Sequence, residues 1–236
     1  MIPLRDRLRS RSFPVVTIGL IVANALVFLL ELEAQMHGGP KALGQFMYRY
    51  GIVPSAFLHP SRYGEAGTYL ALRSLITTQF VHAGFLHVAM NMWFLWVFGD
   101  NVEDALGHAP FLFFYLGAGL AGGLLHALTS PAAQVPAVGA SGAISGVMAA
   151  YLVLFPQARI VTLIFFIFIG VIEIPAALLI GYWFVLQVLS GLVSLGVPAQ
   201  GGTAWFAHIG GFGVGYLITR LRRPRRPRQP RVWVQQ

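Results

Sequence analysis

Two segments of the sequence carry the residue types best suited to chemistry: Gly139-Ala140-Ser141-Gly142-Ala143-Ile144-Ser145-Gly146, and Ala207-His208-Ile209-Gly210-Gly211-Phe212-Gly213-Val214-Gly215. A serine hydroxyl becomes an effective nucleophile when an adjacent base takes its proton. With Ser141 opening a helix, the unpaired N–H groups and the dipole there would favour a developing oxyanion. The same glycines also read as packing, since Gly142 and Gly146 form a GxxxG pair that lets helices approach. Gly211 and Gly215 likewise make one flat helix face, with His208 one turn before Gly211 on it. Taken alone, a histidine near a helix end, such as His208, is more often an interfacial, hydrogen-bonded residue. Together the two faces could bring His208 within reach of the Ser141 hydroxyl, so close helix approach becomes a chemical requirement as well as a packing one.

A third cluster is His82, His87 and Asn91. His87 and Asn91 stand four apart and share a helix face, which fits either interhelical hydrogen bonding or a set of donors for an oxyanion. Other chemistries lack their residues. There is no cysteine for a thiolate nucleophile, a disulfide or a thiolate metal site. His-Glu-x-x-His is missing, so a zinc protease is unsupported and no metal or other cofactor is expected. The eight acids (Asp6, Glu31, Glu33, Glu65, Asp100, Glu103, Asp104 and Glu173) supply neither a carboxylate dyad nor an orienting aspartate at the ends of the helices concerned. What remains is a Ser-His dyad, recognised by roles and not by chain order.

The elements that must position these residues are membrane helices. Of 236 residues 56% are hydrophobic and 10% charged, with a mean hydropathy of +0.69, whereas a soluble domain carries about a quarter charged residues. Each crossing needs roughly 20 apolar residues, so the length accommodates about six crossings and no sizeable soluble domain. The expected fold is all-α, a six-transmembrane-helix bundle. The first crossing starts at Ser12 and ends at Leu30 without a cleavage site, hence a retained helix and not a signal peptide. A loop over 34–73 follows, long enough to hold something packed at the interface. The second crossing runs from Thr77 to Gly99 and stops at the acidic stretch 100–104. The third spans Pro110 to Leu128, and the fourth spans Ser141 to Pro156. The apolar stretch from Ile160 to Pro175 reads as an interfacial lead-in to a fifth crossing ending at Leu195. Gly201-Gly202 makes a turn, and the sixth crossing covers Ala204 to Thr219.

The net charge of +8 is concentrated at the two ends. Arg5, Arg7, Arg9 and Arg11 precede the first apolar run; Arg220, Arg222, Arg223, Arg225, Arg226, Arg228 and Arg231 follow the last. Such clusters read as topology signals and anionic-lipid contacts, not as a nucleic-acid tail. Both termini are then expected in the cytoplasm, with an even number of crossings. The chain divides into a basic N-terminus (1–11), a six-helix domain (12–219) and a basic, disordered tail (220–236).

In the order His82-x4-His87-x3-Asn91, Gly139-x-Ser141-Gly142 and Ala207-His208-x2-Gly211-x3-Gly215, the sequence resembles the rhomboid family of intramembrane serine proteases. The likeness covers residues 12–219 and includes Gly99-Asp100-Asn101-Val102-Glu103-Asp104, as in bacterial members. It implies a six-helix bundle with a cavity opening to the exterior, Ser141 as nucleophile, and His208 as general base and then acid. It further implies His87, Asn91 and the Ser141 N–H as oxyanion hole, with His82 supporting the cavity. Substrates would be single-pass transmembrane proteins cut near the exterior boundary of a bacterial cytoplasmic membrane. Ala207 and the glycines favour a small residue before the scissile bond. Two positions depart from the family. Ser145 stands one turn after the nucleophile, where an aromatic residue often supports the imidazole, so His208 must be held otherwise; a hydrogen bond from Ser145 is one way. Leu72-Arg73 replaces a common Trp-Arg, which argues against loop anchoring by Arg73. A non-proteolytic binding protein for client membrane proteins is the alternative, and it would predict loss of Ser141 or His208. A transporter would show internal repeats and midplane charges, and neither is present.

Overall fold

A computed structural model of the chain describes residues 1–64, 66–165, 169–195 and 202–222. Glu65, Gly201 and most of the basic tail lie outside the described residues. Eight α-helices and three strands, with short 3-10 helices at Pro60–Tyr63 and Thr78–Phe80, make up the described chain: β1 (Ile2–Asp6), α1 (Val15–Tyr50), α2 (Pro54–Leu58), α3 (Gly67–Thr77), α4 (Phe85–Leu106), α5 (His108–Thr129), α6 (Ser141–Leu154), β2 (Arg159–Phe165), β3 (Ile169–Pro175), α7 (Ala176–Ser194) and α8 (Trp205–Arg222).

Three of these helices, α1, α5 and α7, are long and apolar enough to cross a membrane, or four spans if α3 and α4, bent by 78°, count as one. Composition and length lead one to expect six. The physical reason for the difference is visible in α6, which has 14 residues and at 1.5 Å per residue covers only about 21 Å. Gly142 through Tyr151 are all buried, so α6 is sheathed by other helices. A helix enclosed by protein need not match the thickness of hydrocarbon by itself.

The all-α expectation is corrected by a three-stranded antiparallel sheet in the order β1-β2-β3. The apolar stretch before α7 does not form another crossing, as expected, but it is a hairpin and not a lead-in. Its runs Arg159-Ile-Val-Thr-Leu-Ile-Phe165 and Ile169-Gly-Val-Ile-Glu-Ile-Pro175 are rich in β-branched residues, which suit a pleated surface. The first strand comes from the basic N-terminus. It is tied down by an Arg7–Glu173 ion pair and by the Trp93 indole donating to the Pro3 carbonyl at 2.5 Å.

Helix α1 extends well past Leu30, with a break at Gly39 (φ 66°) before Pro40. Its buried residues Thr17, Leu20, Asn24, Phe28 and Glu31 recur every three or four positions, one face laid on the bundle. The rest of the expected loop is helical too, as α2 and α3. Arg73 does anchor it: its guanidinium donates to the Arg49 carbonyl at 2.5 Å and lies 5.0 Å from the Tyr50 ring centre. The acidic stretch does not end the second helix, since α4 continues to Leu106 and stops at Gly107, where φ is 86°. Its carboxylates cap α1 instead. Glu103 accepts from the Val16 and Thr17 N–H groups at 2.9 and 2.8 Å and from the Thr17 hydroxyl at 2.7 Å. Free N–H groups at a helix start favour such a negative partner.

Candidate active site

The loop leading into α6 is pinned before the helix begins. Gly139 N–H donates to the Thr78 carbonyl at 2.9 Å, and the Thr78 hydroxyl donates to the Ala137 carbonyl at 2.6 Å. Gly139 has φ 127°, a conformation that favours glycine. Ser141 is the first residue of α6, so its N–H belongs to the set without an intrahelical acceptor.

Glycine contacts bring the base to it. A Cβ on Gly211 would stand 1.9 Å from the Gly142 carbonyl oxygen, and one on Gly215 would stand 2.5 Å from the Gly146 Cα. On the other flank, a Cβ on Gly122 of α5 would meet the Ala207 carbonyl oxygen at 2.4 Å. The first turns of α8 are therefore wedged between α5 and α6 at backbone contact. At that separation the Ser141 hydroxyl and His208 Nε2 are 2.7 Å apart, and His208 is 9% exposed.

The other ring nitrogen of His208, Nδ1, meets Oε1 of Gln187 on α7 at 2.8 Å. The Trp183 ring lies 5.9 Å from the imidazole, tilted 32°, and Trp205 lies edge-on at 6.2 Å. Ser145 does not serve in this way: its hydroxyl donates to the Ser141 carbonyl at 2.6 Å. Gln187 escaped the sequence reading, although it is the lone strongly polar side chain of the run from Ala176 to Trp183 and on to Leu192. A polar group inside an apolar helix was the available signal.

His87 packs against Gly139. A Cβ on Gly139 would stand 2.8 Å from His87 Nε2 and 3.6 Å from the Ser141 hydroxyl, so imidazole, glycine and hydroxyl share one small region. His87 Nδ1 accepts from the Ala83 N–H at 3.3 Å, which leaves the proton of the neutral ring on Nε2, beside Gly139. Asn91 is buried and donates one amide hydrogen to the His87 carbonyl at 2.9 Å. His82 lies behind His87, ring centres 5.0 Å apart, and its backbone N–H donates to Glu31 at 2.9 Å. A carboxylate thus approaches the site region after all, but it faces His82 and not His208. A small cavity of about 30 Å³ opens beside Ser141, bounded among others by Gln79, His126, Gly142 and Ala207; that is room for a water molecule. Among the described residues no three His, Asp or Glu side chains converge as a metal site would require.

A serine bonded to a buried imidazole, on helices packed against α5 and α7, which are themselves long and apolar enough to cross a bilayer, marks a membrane protein with a Ser-His pair inside it. The family model for the Rhomboid domain matches residues 70–225, more than half of the chain, and the chain belongs to the rhomboid family. Among its relatives, Rhomboid protein 1, mitochondrial, of Saccharomyces cerevisiae is 36% identical over 39% of this chain and 28% of its own. Presenilin-associated rhomboid-like protein, mitochondrial, of Rattus norvegicus is 32% identical over 60% of this chain and 33% of its own. Putative rhomboid protease YdcA of Bacillus subtilis is 42% identical over 33% of this chain and 39% of its own. The matched region is thus between 28% and 39% of the length of these relatives.

Proposed function

We propose that this protein is an intramembrane serine endopeptidase that cleaves single-pass transmembrane substrates by a Ser141–His208 dyad. The observation that carries the reading is the 2.7 Å contact between the Ser141 hydroxyl and His208 Nε2, formed from the first turns of two different helices. His208 Nε2 removes the hydroxyl proton as Oγ attacks the substrate carbonyl. The tetrahedral oxyanion is met by the Ser141 N–H, by His87 Nε2–H and by the second amide hydrogen of Asn91. Collapse expels the amine, which takes the proton back from His208, and water then hydrolyses the acyl-enzyme in the same manner. No metal or other cofactor enters the cycle.

In this reading the domain over 12–219 makes six crossings, with the short α6 and the less apolar α8 counted among them. The N-terminus and the tail from 220 to 236 share the cytoplasmic side of a bacterial cytoplasmic membrane, where their arginines meet anionic lipid. Ser141 and His208 then lie at equal depth near the exterior face, as helices starting from the same side require. A non-proteolytic client-binding role is disfavoured by an intact, bonded Ser-His pair, which such a role would not need.

The test is labelling of the purified protein with a fluorophosphonate, run beside cleavage of a model transmembrane substrate. Wild type should label and cleave. Ser141→Ala should do neither while remaining folded, and normal turnover by Ser141→Ala would overturn the reading.

A further inference from the structure

We propose that Gln187 is a positioning residue for the reaction, the third member of a Ser141–His208–Gln187 relay in which a neutral amide sets the tautomer of the base. The inference rests on the protease reading above and adds a residue to it.

An imidazole can accept the serine proton at Nε2 only if its own proton sits on Nδ1, and the bond made at Nδ1 decides this. In this protein that partner is Gln187 Oε1, at 2.8 Å. The amide itself is oriented, because Gln187 Nε2 donates to the Trp183 carbonyl one turn back at 3.3 Å. Reversed, the amide would set its oxygen against that carbonyl oxygen and its NH2 against Nδ1. That arrangement suits only the ring protonated on Nε2, which cannot take a proton from Ser141. The chain of donors therefore runs one way, from Ser141 to His208 to Gln187, and ends on the backbone of α7.

Burial and packing keep the geometry in place. Gln187 is 6% exposed, and a buried amide without partners would be destabilising. Its helix is fastened to α8 by the Phe184–Phe212 stack, ring centres 3.9 Å apart at 17°. Positioning on a helix locked by packing is what a base with a fixed rotamer needs. Because Gln187 is neutral, it aligns the imidazole without adding negative charge to stabilise the imidazolium. That property separates it from a carboxylate and gives the test its readout.

The experiment uses the full chain in detergent or proteoliposomes with a model transmembrane substrate, measuring kcat, KM and the pH profile of wild type, Gln187→Leu, Gln187→Glu and Ser141→Ala. Leucine keeps the bulk but cannot accept a hydrogen bond; kcat should fall at least about tenfold while KM stays within about twofold. Glutamate accepts the same bond and adds charge, so activity should return at neutral and alkaline pH, with the acid limb of the profile moved to higher pH. Wild-type kcat and pH profile in Gln187→Leu, or an unmoved acid limb in Gln187→Glu, would overturn the proposal. If Gln187→Leu loses its thermal transition, the acid limb of Gln187→Glu decides. Retained cleavage by Ser141→Ala would instead overturn the protease reading itself, so the two failures are distinct.

Discussion

The carbonyl oxygen of Gly142 on α6 lies 1.9 Å from the point where a Cβ on Gly211 of α8 would stand. Ser141 precedes the first of these residues and His208 lies one turn before the second. Closeness of backbone at this point is therefore what sets the hydroxyl-to-imidazole distance.

Replacing Gly211 by alanine should push α8 away from α6, lowering stability by about 1–3 kcal/mol and activity by more than the stability loss explains. Gly213 is the internal control, with nothing within 4 Å of its Cβ position. Gly213→Ala should keep activity and gain up to about 1 kcal/mol of helix propensity. Thermal melts and cleavage rates of the two variants decide the point; equal behaviour would separate glycine packing from catalysis.

Asn91→Ala should lower kcat by about 10²–10³-fold, the usual effect of removing one oxyanion donor, with KM little changed. His87→Ala should act in the same direction, since its Nε2 lies beside Gly139, two residues before the serine. Steady-state kinetics on the model substrate check both. A raised KM at constant kcat would place Asn91 in substrate binding instead.

Asp6 makes stability depend on pH. Its Oδ2 accepts from the Tyr151 hydroxyl at 2.6 Å and from Asn101 at 2.9 Å. Burial pushes its carboxyl up from 3.8 to about 7, opposed by the Tyr151 hydrogen bond and reinforced by the charge of Asp100. A folded-state value above the unfolded one means that its contribution is fully present below pH 3.8 and lost as pH rises through about 7. Both bonds end on one oxygen, so asparagine can keep them. Melting temperature should fall more for wild type than for Asp6→Asn between pH 5 and 8, with about 1 kcal/mol corresponding to roughly 2–4 °C at this size. Parallel slopes would remove Asp6 from the account.

Orientation can be read with single cysteines, because the chain has none of its own. Gln134 and Arg9 are both exposed, and the proposed topology places them on opposite sides. An impermeant thiol reagent on intact cells should label Gln134→Cys and spare Arg9→Cys. The reverse pattern would invert the protein in the membrane and overturn an active site open to the exterior.

The catalytic candidates were legible because nucleophile, base and the glycines around them announce themselves by type and spacing. Helix starts at Ser141 and Trp205 fall within a residue of the starts expected for the fourth and sixth crossings. Gln187 was not legible as a partner of His208, since no local pattern says which residue of α7 faces α8. The hairpin over Arg159–Pro175 stayed hidden because an apolar run interrupted only by Glu173 and Pro175 reads alike for a lead-in and for paired strands. Glu103 looked like a helix stop because its partners, the N–H groups of Val16 and Thr17, lie far away in sequence. Length and apolarity by themselves pick out fewer than six spans for a related reason: burial by neighbours, which sequence does not display, relieves α6 of spanning length.

The pairing of Ile2 with Leu163 and of Asp6 with Ile160 also has a meaning in time. A chain made from its N-terminus releases β1 first, but its partner strand follows only after α6 is complete. Until then the strand edge has no mate, and its eventual docking closes a loop that holds most of the protein, with an entropic penalty that grows with loop length. Closing the sheet must therefore wait until α6 and β2 have both been made.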